Sequence, residues 1–287
     1  MDAKKNKGKN MEARLLDDKH LIGVEIEMED IRSAPVLPLW EYKVDNSLRN
    51  GIEYTFSGPL SGKDAETALN SVYEKCLKHG NCDLSPRTGT HVHLDASRMK
   101  VSIIRNMCVL YSLLEEPIFA WIGERREANN FCLPWFVAGG DLGAISSLIN
   151  STNPRYGASK VGRYSALNLN ALSKFGSLEF RHLKTTYNKN RLYQWINLIL
   201  AIKQAAAKFE QDSAELVQLF KEEGKRGILD LVYTNETVDY LPNLPDVEVV
   251  QGLVTALDLL PTKPDFSLFK FIGKGINPNW EKFKAAS

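Results

Sequence analysis

The sequence carries no surplus of charge, since 36 Lys and Arg stand against 35 Asp and Glu for a net of +1. Proteins that bind nucleic acid by neutralising phosphates usually show a clear basic excess, so bulk electrostatics disfavours a polyanionic partner. No run approaches the ~18 consecutive apolar residues of a membrane span. Segments such as Ile196 to Ile202 have only the length of a buried helix turn or two. The first ten residues hold Lys4, Lys5, Lys7 and Lys9 without the apolar centre of a secretory signal. The four cysteines, Cys76, Cys82, Cys108 and Cys132, form no Cys-x-x-Cys pair and are too sparse for a disulfide scaffold, which points to a reducing cytoplasm and thiols that fill the core. Neither Gly-x-Ser-x-Gly nor Gly-x-x-x-x-Gly-Lys-Ser/Thr occurs. What is present is a chain of 287 residues, 44% apolar and 25% charged, the proportions of a soluble globular enzyme.

Hydrophobic periodicity organises the chain into three parts. Residues 1–19 read as a disordered basic tail, 20–226 as the main domain, and 227–287 as a proline-rich appendage packed on it, built around one helical run from Val247 to Leu260. Leu21 to Glu29 alternates apolar and acidic residues with the period of a strand. Ile52 to Phe56, after the turn-like Asp45 to Gly51, predicts a second strand, and His91 to Asp95 a third. Arg163 to Asn170 and Ser177 to Leu183, separated by Ser173 to Gly176, predict a hairpin. Helices are expected at Ser61 to His79, Arg98 to Trp121, Tyr193 to Phe209 and Asp212 to Glu223, with Pro117 bending or ending the second. No repeat of 20–50 residues is visible, against a solenoid or propeller.

Side chains alternate across a strand, so Glu25, Glu27 and Glu29 share one face, His91 and His93 another, and Glu179 and Arg181 a third, with Glu53 beside Thr55 on the second strand. A solvated outer sheet face is one reading. If the faces combine, one surface holds Glu25, Glu27, Glu53, His91, His93, Glu179 and Arg181. So many carboxylates repel unless some are protonated or cations neutralise them. An oxygen-rich set with one or two imidazoles suits Mg²⁺ or Mn²⁺ over Zn²⁺. Mg²⁺ of that kind is commonly shared with substrate phosphates, and Arg181 offers a planar fork to a transferring phosphoryl group. Reading His91 and His93 as paired zinc ligands of a hydrolase needs further histidines, but the chain has five, and His20, His79 and His182 are poorly placed.

Local context adds weaker candidates. Asn168 and Asn170 share a face of the predicted strand and either hydrogen-bond substrate or serve the structure. Arg163 is a candidate phosphate contact. Arg125, Arg126 and Asn130 lie in a polar loop, where arginines either hold a substrate carboxylate or are solvated. Trp135 and Phe136 read as core or lid packing.

Four motifs occur in order: Gly23-Val-Glu-Ile-Glu27; Val44-Asp-Asn-Ser-Leu48 followed by Gly51-Ile-Glu53; Thr88-Gly-Thr-His-Val-His93; and Ser177-Leu-Glu-Phe-Arg181. Together, over Leu21 to Thr186, they resemble the amidoligase family of glutamine-synthetase-like carboxylate-amine ligases, related to glutamate-cysteine ligase. The resemblance implies an α+β fold: the curved antiparallel sheet of the glutamine-synthetase-like catalytic domain with helices on its convex face. It implies formation of an amide or isopeptide bond through an acyl phosphate, with ATP and Mg²⁺ (or Mn²⁺), between small-molecule or peptide carboxylate and amine substrates, in a protein that is often an oligomer. Carried over by motif, Glu27 and Glu53 correspond to ligands of the metal nearest the acceptor carboxylate, and Glu25, His91 and Glu179 to ligands of the metal bridging the ATP phosphates. Arg181 corresponds to the arginine at the γ-phosphoryl group, Asp45 to a residue that positions or deprotonates the amine, and His93 to a group that orients a neighbour or touches substrate. Two alternatives keep the same surface: a kinase that phosphorylates without ligation, and a non-catalytic nucleotide- or metal-binding partner protein.

Overall fold

A computed structural model describes residues 13–16, 19–31, 33–78, 80–123, 126–137, 142–209 and 212–261. Its elements run β1 (Ile22–Met28), β2 (Trp40–Asp45), β3 (Gly51–Phe56), α1 (Gly62–Val72), β4 (Gly89–Asp95), α2 (Val101–Ile122), α3 (Leu142–Ile149), α4 (Pro154–Gly157), β5 (Leu167–Asn168), α5 (Ala171–Lys174), β6 (Ser177–Lys184), α6 (Lys189–Lys208), α7 (Ser213–Val232) and α8 (Gln251–Leu259). The six strands form one open antiparallel sheet in the order β2-β3-β1-β4-β6-β5, so the fold is mixed helix and sheet.

The apolar half of each strand pattern faces a layer of helices. Val24, Ile26 and Met28 of β1, Val92 and Leu94 of β4, and Leu178 and Phe180 of β6 are all buried. Against β4 and β6 lie α2 and α6, and the Trp40 indole of β2 donates to Ala68 O of α1. Helix α8 packs on α2 and α3. Among the described residues no helix is long and apolar enough to cross a membrane. All four cysteines are free and buried, and burial pushes the Cys76 thiol up to about 11.

Four expectations need correction. The edge strand β2 has no counterpart in the sequence reading, which begins its turn at Asp45. The predicted strand over Arg163 to Asn170 shrinks to Leu167–Asn168, because Asn170 takes helical dihedrals and starts the single turn α5, which takes in the first half of the expected hairpin loop. Pro117 ends nothing: α2 runs through it to Ile122, since the helix is buried on most of its circumference and tertiary packing outweighs one lost backbone donor. Similarly, α7 continues past Glu223 to Val232 by kinking at Gly224, whose φ of 66° is the left-handed region glycine tolerates. His79 and the terminal segments 1–12 and 262–287 lie outside the described residues.

Candidate functional site

Register decides which polar side chains meet. On the face opposite the helices, Glu25 of β1 stands across from His91 of β4, and Glu27 across from Glu53 of β3. Lys43 of β2 faces Glu53, His93 faces Glu179 of β6, and Asn168 of β5 also faces Glu179. Strands distant in sequence thus bring Glu25, Glu27, Glu53, His91, His93 and Glu179 onto one surface. Glu29, predicted on the same face, is instead buried beyond the strand end, where its Oε1 accepts from Arg49 N at 2.9 Å.

A β-bulge sets the far side of this surface. Val92 pairs with Phe180 and Thr90 with Leu183, so the single His91 faces two residues, Arg181 and His182. Arg181 turns to the carboxylate face, where its Nη1 pairs with Glu179 and its Nε donates to Phe131 O at 3.0 Å. His182 turns into the core beside Tyr111, Phe119 and Trp195, and burial drives its imidazole down to about 3, so it stays neutral.

The acids and imidazoles form two groups whose ligand atoms lie within 4.8 Å of one another: Glu25, His93 and Glu179, and Glu27, Asp45 and Glu53. Asp45 reaches the second group from the end of β2, where a tight turn is fixed by its Oδ1 accepting from Ser47 N at 2.8 Å. His91 lies between the groups. Its Nδ1 is 3.0 Å from Glu25 Oε2 and 3.6 Å from Glu179 Oε1, while Nε2 is 3.9 Å from Glu27 Oε1. His93, the secondary histidine of the motif reading, is thus the imidazole grouped with Glu25 and Glu179, and His91 bridges.

The electrostatics differ between the two ends. Burial opposes ionisation of Glu25, but hydrogen bonds from His91 and His93 and their charge outweigh it and hold the carboxyl well below its usual range. Glu27 goes the other way: burial raises it, and His91 with the Gly89 N–H, donating to Oε2 at 2.6 Å, offsets only part. Close approach is possible here because residue 89 is glycine, since a Cβ would sit 2.7 Å from His91 Nε2 and 3.2 Å from Glu27 Oε2.

The remaining candidates disperse. Asn168 joins the site, its Nδ2 donating to Glu179 Oε2 at 2.6 Å. Asn170 does not, because it is bound to Ser159 O and Val161 O. Arg163 is exposed and stacks on Tyr164. Arg126 is buried and donates to backbone carbonyls of Pro86, Arg181 and His182. Arg125 lies outside the described residues. Trp135 is core, its indole bound to Leu167 O. Sequence reasoning missed Lys43, whose Nζ is 2.7 Å from Glu53 Oε1; the signal for it is a strand between Trp40 and the Asp45 turn, which places residue 43 opposite residue 53. Two cavities of about 330 Å³ flank the surface. One, on the Glu25 side, includes Lys43, Phe56, His93, Asp95 and Phe175; the other, near Gly89, includes Arg87, Arg126, Asn129, Phe131 and Lys184.

The donor set fits hard divalent cations. Each group is dominated by carboxylate oxygens with at most one imidazole and no thiolate. Glu53 Oε1 and His93 Nε2 are buried, and each has a charged neighbour at ion-pair distance, Lys43 Nζ at 2.7 Å and Glu25 Oε1 at 3.2 Å.

A sequence family described as "putative amidoligase enzyme" matches residues 55–203, just over half of the chain. The matched stretch contains His91, His93, Asn168, Glu179 and Arg181, and begins two residues beyond Glu53. No curated protein matches the chain.

Proposed function

We propose, from the premise that this chain belongs to the amidoligase family, that it is an ATP-dependent ligase joining a carboxylate to an amine, with Mg²⁺ or Mn²⁺ held on the carboxylate face. The observation that carries this reading is the pair of oxygen-rich groups, Glu25–His93–Glu179 and Glu27–Asp45–Glu53, on one sheet surface with Arg181 against Glu179. A carboxylate does not condense with an amine in neutral water because hydroxide is a poor leaving group. ATP and the cations, when bound, supply activation of the acid as an acyl phosphate and screen the charge between acid and γ-phosphate.

The chain's own residues then have separable tasks. Glu25, His93 and Glu179 would hold one cation, and Glu27 and Glu53 the other, with Asp45 beside them left for the amine. His91 orients Glu25 through its Nδ1 and stands between the two groups, with Nε2 3.9 Å from Glu27 Oε1. Arg181, steered by Phe131 O and Glu179, offers its guanidinium to the transferring phosphoryl group. Asn168 fixes the Glu179 carboxylate. Asp45, on the turn after β2, orients the amine, and its free carboxylate oxygen takes the proton released as the amide forms.

The test is incubation with ATP, Mg²⁺ and pooled carboxylates and amines, read by mass spectrometry for a new amide and by ADP release. Arg181→Ala and Glu27→Ala should each abolish both. ADP release with a stable phosphorylated acid and no amine consumed would replace the ligase by a kinase, and full turnover in both variants would remove these residues from the site.

A further inference from the structure

The bulge between β4 and β6 leaves an accounting problem. Arg181 and His182 are the two residues that face one, and their carbonyls accept from a side chain outside the ladder, as buried carbonyls must find donors somewhere. Arg126 supplies both, with Nε donating to His182 O at 3.0 Å and Nη2 to Arg181 O at 3.2 Å. Its Nη1 reaches Pro86 O at 3.2 Å, in the turn that leads into β4. One planar guanidinium therefore ties the bulged residues of β6 to the turn before β4 from a position only 5% exposed. Gly89 leaves the room for it, because a Cβ there would sit 3.1 Å from Arg126 Nη2.

We propose that Arg126 is a positioning residue: it holds the β6 bulge, and with it the place of the Arg181 backbone along β4 and the register of Leu183 with Thr90. Without the bulge, strict alternation would still put residues 179 and 181 on one face, but Leu183 would lose its register with Thr90 and the Arg181 backbone would shift along β4. A lysine cannot replace this arginine, since one ammonium on a flexible stem does not present separate donors to three carbonyls as the guanidinium fork does. With three of its five N–H donors committed to the backbone, Arg126 acts through Arg181 and not on substrate.

Two measurements on the full chain decide this, using Arg126→Lys and Arg126→Gln. The first is hydrogen exchange read by mass spectrometry. Amides of the Phe180 to Lys184 segment should exchange about tenfold faster or more in both variants, while those of α6 remain as in the unaltered protein. Unchanged exchange in that segment would overturn the proposal, and if Arg126→Gln does not fold, Arg126→Lys carries the same comparison. The second measurement rests on the proposed ligase reading, in which Arg181 meets the γ-phosphoryl group: the ratio of ADP to ATP dissociation constants with Mg²⁺. Arg126→Lys should lower this preference for ATP about as far as Arg181→Ala, with no further loss in the double variant. Additive losses would mean the two arginines act independently and would overturn the proposal. An unaltered protein with no preference for ATP would count against the ligase reading, and the exchange result would then decide the role of Arg126 by itself.

Discussion

Glu27 and Glu53 stand directly opposite one another on neighbouring antiparallel strands, each 8% exposed. Like charges in that cross-strand position destabilise a sheet, and here burial also raises the Glu27 carboxyl above its ordinary value. The arrangement is unfavourable for the protein alone and favourable once a divalent cation sits between the oxygens. Glu27→Gln should therefore raise the melting temperature in chelator, by roughly 2–4 °C for ~1 kcal/mol of relieved repulsion. Mn²⁺ should raise the melting temperature of the unaltered protein further, and the same variant should lose that rise. Equal Mn²⁺ responses in the two proteins would remove Glu27 from the cation site.

Lys43 contributes to the same balance from the edge strand. Its ammonium, 2.7 Å from Glu53 Oε1, partly neutralises the group that would receive a cation, and the Glu53 hydrogen bond and charge raise its own pKa. Its side chain is 67% exposed, so the pair is worth only ~0.5–1 kcal/mol. Lys43→Met should accordingly tighten Mn²⁺ binding roughly two- to fivefold, measured by electron paramagnetic resonance titration without nucleotide. Weaker binding in the variant would show that Lys43 supports the site instead of competing for it.

The residues that sequence pattern reveals are those on strands with one wet and one dry face. In β1, β4 and β6 the alternation of Val24, Ile26, Val92, Leu94, Leu178 and Phe180 with acids and imidazoles places the polar set before any contact is known. Strand β2 escapes because Glu41, Tyr42, Lys43 and Val44 are all exposed at the sheet edge, so no dry face selects the residue types. The grouping of His93 with Glu25, and of Asp45 with Glu27, depends on inter-strand register and a turn, which local periodicity does not encode. Arg126 is the extreme case: its partners are carbonyls, which every residue has, and they become special only through the bulge.

Gly89 tests the closeness of packing behind the site. An alanine methyl would lie 2.7 Å from His91 Nε2, where a real contact requires the ring to move. Gly89→Ala should cost ~1–3 kcal/mol of stability through overpacking and should weaken Mn²⁺ binding by displacing His91 from its place between the two groups. Gly58→Ala, whose Cβ would meet nothing within 4 Å, is the matched control and should change neither. If Gly89→Ala binds Mn²⁺ as tightly as the control, the position of His91 does not matter to the cations.

A last prediction concerns the core behind β6. Glu115 of α2 is fully buried, with Oε1 accepting from the Tyr111 hydroxyl at 2.5 Å and from Trp135 N at 2.8 Å. Burial, with a smaller push from Glu116, raises the carboxyl from 4.5 to about 7, against the opposing pull of the Tyr111 hydroxyl and the backbone N–H groups of Trp135 and Phe136. A folded-state value above the unfolded one means that the folded protein holds the proton more tightly. Its stabilising contribution is complete below about 4.5 and is lost as pH rises through about 7, a change of ~3 kcal/mol in all. Glu115→Gln keeps an oxygen for both donors and cannot ionise, so its stability relative to the unaltered protein should climb by about that amount between pH 4.5 and pH 8. His182 works with the opposite sign: burial and Arg126 hold it near 3, so its contribution is present above 6.5 and lost as pH falls towards 3. Both proteins retain His182, and its slope cancels in the difference. Urea midpoints of the two proteins across that range measure the effect, and a difference that stays constant with pH means that the folded core does not raise the Glu115 carboxyl above its unfolded value.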